Sequence, residues 1–262
     1  MVYAQPPVTQ PPVTNLQPPP PSRRQPTQKR SGWRTFRVFI GELLITAGLI
    51  IGGYAFWELW WTTHLVQPGM QAAISEFQEA NPTPETHVEP THRTDAPPMV
   101  NQPYYGEIFS VMHVPKWNFM QIPVVEGTGQ ELLDRGYAGH YVETQLPGEV
   151  GNFAVAGHRR TYGNNFRRVD ILTPGDPVVV ETDNAYIVYE VIGHEIVQPS
   201  QASVVYPVPN EPGAVPTERL LTMTTCHPEF GNSERYIVYS KFAYWTAKSE
   251  GKPSVVIDGA TQ

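Results

Sequence analysis

Cys226 is the one cysteine in 262 residues, and it stands in Leu220-Leu-Thr-Met-Thr-Thr-Cys226. Period-two alternation puts Thr222, Thr224 and Cys226 on one face of a strand and Leu221, Met223 and Thr225 on the other. His227-Pro228 then stops the strand, so the thiol falls at a strand end, where loops build sites. A free cysteine commonly acts as a small buried hydrophobe. Beyond a membrane, however, a lone thiol is exposed to oxidation, which marks it as reactive. A cysteine nucleophile needs a base or a cation beside it, because the thiolate is the attacking form.

The chain offers 8 histidines. His64, His87 and His92 lie in or near a proline-rich spacer, and His113 and His194 sit inside strand patterns. His227 is adjacent to Cys226, and neighbours on a strand point to opposite faces. His140 and His158 follow glycines at strand ends. His158 in Ala154-Val-Ala-Gly-His-Arg-Arg leaves a short apolar strand as Cys226 does, and it is the favoured partner. Arg235 opens Arg235-Tyr-Ile-Val-Tyr-Ser-Lys-Phe, after a loop from His227 to Glu234. If the two strands pair antiparallel, Cys226 and Arg235 share one end of the ladder. An arginine there can donate hydrogen bonds to an oxyanion or a thiolate. It can equally pair with Glu229 or Glu234 at the surface. The sequence has no H-E-x-x-H, P-loop or G-x-S-x-G. A single thiol excludes a multi-thiolate metal site, and neither a metal nor a cofactor is expected.

The elements that must position these residues are mostly strands. Glu107 to Val114, Asn118 to Val125, Gly151 to Ala156, Pro177 to Glu181, Ala185 to Ile196, Leu220 to Cys226 and Arg235 to Phe242 are rich in β-branched and aromatic residues. Leu172-Thr-Pro-Gly-Asp, Thr182-Asp-Asn and Asn210-Glu-Pro-Gly separate several of them. A short helix is predicted over Gly129 to Gly136. Many short strands with few helices predict a mostly antiparallel barrel or sandwich.

Charge is polarised along the chain. Residues 1–41 carry Arg23, Arg24, Lys29, Arg30, Arg34 and Arg37 and no acid, although the whole chain has a net charge of -7. That acidic balance argues against nucleic acid as a partner. The basic flank precedes the most apolar run, Val38 to Trp61. Its stretch Val38 to Trp57 would span about 30 Å as a helix, enough for a bilayer core. Trp57, Trp60 and Trp61 crowd the far end like an interfacial belt. A cleaved signal peptide would have a shorter apolar run and a small-residue exit, whereas this run ends Glu58-Leu-Trp-Trp. The flanking charge also argues against a core helix. The positive-inside rule then predicts a single-pass membrane anchor, with the N-terminus cytoplasmic and the chain after it extracytoplasmic.

The domain organisation follows. Residues 1–37 read as a disordered proline-rich tail and 38–61 as a transmembrane anchor. Residues 62–103 read as a spacer with a short helix over Gln71 to Ala80. A compact domain occupies 104–246, and 247–262 form a flexible tail.

Thr222-Met-Thr-Thr-Cys226 resembles the T-L-x-T-C motif of sortases, the cysteine transpeptidases of Gram-positive cell surfaces. Ala156-Gly-His158-Arg resembles the segment with their catalytic histidine, and Arg235 matches their catalytic arginine. Cys226-His227-Pro228 and the Gly-Glu-Leu-Leu-Ile-Thr start of the anchor are most similar to class E sortases of high-GC Gram-positive bacteria. The resemblance covers about residues 38–245. It implies a closed eight-stranded β-barrel and cleavage between Thr and Gly of a C-terminal Leu-Ala-x-Thr-Gly or Leu-Pro-x-Thr-Gly sorting signal. Cys226 would be the nucleophile, His158 the acid and Arg235 the oxyanion ligand. Partners would be secreted proteins bearing the signal and a cell-wall precursor amine. Alternatives are a pilin-polymerising sortase and a non-catalytic tethered domain that binds peptides. Substrate contacts are expected at Phe153, Thr224 and Thr225. Met223 replaces the usual leucine. Phe153 stands where class E enzymes commonly carry a tyrosine linked to Ala over Pro in the signal, so a weaker preference is expected. Phe153 can also be read as a core aromatic.

Overall fold

The structure, a computed structural model, describes Met1, residues 32–86 and residues 88–257. The basic proline-rich stretch 2–31, His87 and the last five residues lie outside the described residues. The described chain divides into one unit through Leu49 and a second over Ile50–Gln262.

The first unit is helical from Gly32. This helix, α1 (Gly32–Phe56), contains no buried residue and supplies the start of a stretch long and apolar enough to cross a membrane. It begins six residues before the expected anchor, so residues 32–37 are helical and do not belong to a disordered tail.

In the second unit a π-helical turn, Trp57–Trp61, leads into α2 (Thr62–Ala80). Helix α2 is much longer than the short helix expected from Gln71, because it runs through Pro68. Tertiary packing overrides that local break. Met70, Ala73, Ile74 and Phe77 recur at helical spacing on one buried stripe, with Ile74 and Phe77 set against Val111.

Eight strands close a barrel in the order β1-β2-β3-β4-β7-β8-β6-β5. They are β1 (Ile108–Val114), β2 (Met120–Glu126), β3 (Ala138–His140), β4 (Gly151–Ala156), β5 (Pro177–Glu181), β6 (Ala185–Val197), β7 (Arg219–His227) and β8 (Glu234–Ala247). A four-residue α3 (Gln130–Leu133) occupies the predicted short-helix position. Two neighbouring pairs, β2–β3 and β4–β7, are parallel and the rest antiparallel. Met112, Val124, Phe153, Val178, Ile187, Leu221, Met223 and Val238 fill the interior. Closure leaves no free sheet edge.

The segments expected to be loose are pinned to the barrel. Arg93 makes an isolated bridge to Trp245 and an ion pair with Glu250, and Trp245 Nε1 donates to Asp95. The described residues between 81 and 103 are therefore not a free spacer. Residues 248–257 are not free either. Lys248 is buried with its Nζ 2.7 Å from Glu181 Oε1, and short 3₁₀ turns follow at Lys248–Glu250 and Ser254–Val256. Glu181 also accepts from His113 Nε2 at 2.8 Å and from Gln78 Nε2 at 2.9 Å. Burial raises this carboxyl's pKa, but His113 and Lys248 outweigh it and hold it at about 2. One buried carboxylate thereby joins α2, β1, β5 and the C-terminal segment. Removing one partner of such a cluster leaves an uncompensated charge.

Candidate active site

Strands β7 and β8 pair antiparallel with Cys226 directly opposite Arg235. Opposed residues on neighbouring strands share a face, so thiol and guanidinium stand on the same side of the sheet. Strand β4 lies on the other side of β7, parallel to it, with Ala156 opposite Thr224. The ladder continues past the strand end. Gly157 N donates to Thr224 O at 3.1 Å, and Thr225 Oγ1 donates to Gly157 O at 2.7 Å. His158 and Cys226 each lie two residues beyond the Ala156–Thr224 pair, at the same end of the two strands. Three adjacent strands thus deliver Cys226, His158 and Arg235 to one rim of the barrel.

The alternation expected along β7 sets which side each residue takes. Leu221 and Met223 are in the interior cluster, so Thr222, Thr224 and Cys226 take the outer face. Cys226 is a half-buried free thiol. Arg235 is fixed by its own loop, its Nη1 donating to the carbonyls of Asn232 and Glu234 at 2.9 Å each. His227 faces the other way. Its Nδ1 accepts from Arg159 at 2.9 Å, and its ring lies 5.8 Å from Tyr236, an interior residue. Arg159 is itself buried, over Tyr236 and 3.3 Å from Asp170. His158 Nε2 lies 2.7 Å from Asp134 Oδ1, and its ring is 5.4 Å from Tyr162.

A half-buried thiol on the same face as an arginine, with an imidazole just past the end of the neighbouring strand, is equipped for acyl transfer through a thioester. The described residues contain no group of His, Cys, Asp and Glu side chains able to hold a metal. Comparison with known proteins gives the same direction: residues 112–243 match the family model "Sortase domain".

The chain belongs to the sortase family.

Sortases are cysteine transpeptidases. Over 227 residues the chain is 36% identical to sortase SrtE1 of Streptomyces coelicolor, a match that covers 83% of this chain but only 60% of that protein. The SrtA sortase of Actinomyces oris has a similar structure, at 52% identity and a TM-score of 0.62, covering 66% of this chain and 99% of the other. The crystal structure of sortase E1 from Streptomyces coelicolor with a tripeptide in the active site is similar at 41% identity and a TM-score of 0.55. It covers 58% of this chain and 98% of that one.

Two of the expected substrate contacts of this sortase are not on the Cys226 face. Phe153 pairs with Leu221, is 1% exposed, and packs against Phe109 and His140 in the interior. It is a core aromatic. Thr225 also points away from Cys226's side, and its hydroxyl is used on Gly157 O. It braces the His158 strand and is not placed to hold peptide. Thr224 does share the outer face, but it is buried and hydrogen-bonded to Tyr141, with 3.0 Å between the hydroxyls.

Placing Phe153 in the core reverses the outcome expected of its substitution. Phe153→Tyr would introduce a hydroxyl into an apolar interior. We expect a lower Tm, with destabilisation of about 1–3 kcal/mol, and an unchanged ratio of kcat/KM between Ala- and Pro-containing signal peptides. A change in that ratio without loss of stability would return Phe153 to the substrate site.

Sequence reasoning missed two residues. Tyr141, just beyond β3, reaches the outer face two residues before the thiol through Thr224. Asp134 reaches His158 across 24 residues of sequence. Tyr141 had a weak sequence signal, as an aromatic after the strand-end Gly139-His140. Asp134 had none beyond lying at the end of the predicted helix.

Proposed function

We propose that the protein is a membrane-anchored cysteine transpeptidase that cleaves a C-terminal sorting signal between Thr and Gly. It would transfer the new carboxyl end to an amine of a cell-wall precursor. The Cys226 thiolate adds to the Thr carbonyl carbon, and Arg235 donates hydrogen bonds to the oxyanion that forms. The C–N bond breaks, its electron pair stays on nitrogen, and His158 protonates the leaving amine. A thioester on Cys226 results. An incoming amine attacks it, His158 takes the amine's proton, and the thiolate is released. Water in place of the amine gives hydrolysis.

The observation that carries this reading is the register that sets Cys226 opposite Arg235, with the β4–β7 ladder ending two residues before both His158 and Cys226. The basic flank, the apolar helix and the tryptophans after it support an anchor with the N-terminus inside and the barrel outside. Substrate and lipid-linked acceptor would then both arrive at the bilayer where the enzyme is held.

The test is incubation of the full chain in detergent with Leu-Ala-x-Thr-Gly or Leu-Pro-x-Thr-Gly peptides, followed by mass spectrometry. We expect the peptide's N-terminal portion as an acyl adduct on Cys226, with release of the Gly-containing fragment, and capture of the adduct by an added amine. Absence of both adduct and cleavage would leave a peptide-binding domain.

A further inference from the structure

We propose that Asp134 is the positioning residue for His158: its carboxylate holds the imidazole with Nε2 protonated and so directs Nδ1 to the reaction. This rests on the transpeptidase reading above for His158's role as acid and base. A carboxylate oxygen can only accept, so the 2.7 Å contact between His158 Nε2 and Asp134 Oδ1 requires the hydrogen on Nε2. The nitrogen left to exchange a proton with the sulfur and the leaving amine is Nδ1.

An isolated surface ion pair would be unremarkable, since such pairs contribute little. This one is built into a locked pair of turns. Asp134 follows α3, and its N donates to Gln130 O while Gly136 N donates to Leu133 O. The chain from His158 onward closes on itself through Phe166 N to His158 O at 3.0 Å. The two turns are joined by Asn165 Nδ2, which donates to Gly136 O from a buried position. They also approach closely: a Cβ on Gly136 would come within 2.5 Å of Met70 Sδ and 3.1 Å of Tyr162 O. Gly136 has φ 81, which favours glycine on its own account. With Tyr162's ring beside it, the imidazole is bounded by an aromatic and a carboxylate, both on turns that cannot shift independently. Both side chains of the pair keep only about a quarter of their exposure, at 23% and 28%. Arg159 and Arg160, which follow His158, do not compete for Asp134. Arg159 pairs with Asp170, and Arg160 lies 2.9 Å from Glu229.

The experiment compares wild type, Asp134→Asn and Asp134→Ala as full chains in detergent, with selectively 15N-labelled histidine. In wild type we expect the neutral His158 ring as the Nε2–H tautomer. In Asp134→Ala the two tautomers should mix, and kcat for peptide cleavage should fall about 10- to 100-fold, the scale of one charge-assisted hydrogen bond, with KM nearly unchanged. Asp134→Asn keeps an acceptor of the same shape, so it should retain the tautomer and lose less activity. A wild-type ring already in the Nδ1–H form would overturn the proposal. So would an Asp134→Ala chain with the wild-type tautomer and kcat within about twofold. If wild type forms no acyl adduct, it is the transpeptidase reading that fails, and the ring spectra still decide whether Asp134 sets the tautomer.

Discussion

Cys226→Ala is expected to abolish the acyl adduct and reduce peptide cleavage to background, a loss of at least about 10³-fold. The barrel should be intact. Cys226 occupies the ladder through its backbone, and its half-buried thiol leaves only a small volume to lose. A Tm within a few degrees of wild type is therefore the accompanying expectation. No other cysteine can substitute, because the chain has none. Mass spectrometry after incubation with peptide decides the matter. An adduct that persists in the alanine variant would place the nucleophile elsewhere and dissolve the rim as an active site.

The residues of that rim were legible in the sequence for a definite reason. Strands β4, β7 and β8 have clear periods, and His158, Cys226 and Arg235 sit where the period ends. Strand ends can be read from local pattern, so one barrel rim could be inferred from three local signals. The sense of pairing between β4 and β7 could not. They run parallel, in a register that sets Phe153 opposite Leu221 in the interior. Phe153 and His158 are five residues apart, so period-two alternation already sets them on opposite faces, and the assignment of Phe153 to substrate passed over that local signal. Strand β3 was legible only as the strand end at Gly139-His140, because three residues are too few to show an alternation. The C-terminal segment reads as loose because lysine, serine and glycine favour solvent. Lys248 instead finds Glu181 in the core, a partner 67 residues earlier that no window around it contains.

The same geometry separates residues that sequence proximity would join. His227 adjoins Cys226 yet belongs to the inner face with Tyr236 and Arg159. Asp134 and Tyr141 lie far from the thiol in sequence yet reach the groups around it. In a barrel rim assembled from β3, β4, β7 and β8, the turns between strands determine which side chains meet, and they are the part of the sequence with the weakest patterns.

His158→Ala and Arg235→Ala are each expected to lower kcat/KM by about 10²–10⁴-fold, the range for a positioned proton donor or an oxyanion ligand. The double variant should be little worse than either single one. Both groups serve one transition state: Arg235 stabilises charge on an oxygen only if the tetrahedral adduct forms, and that adduct partitions forward only if His158 protonates the amine. Groups that act as a unit lose their effect together. Arg235→Lys should recover only part of the loss. A lysine places a point charge where Arg235 offers a planar fork, and Arg235 Nη1 is already tied to the carbonyls of Asn232 and Glu234. The guanidinium can keep those bonds and still donate from its other nitrogens, whereas an ammonium must choose. His227→Ala is the control. It removes a ring from the inner face, so it should cost stability through Arg159 and Tyr236 and leave the chemistry within about tenfold. Steady-state kinetics on the four single variants and the double variant, each with its Tm, test this scheme. Fully additive losses for His158 and Arg235 would mean that the two residues act on separate steps. An inactive but stable His227→Ala beside an active His158→Ala would assign the proton transfer to the wrong face of the strand.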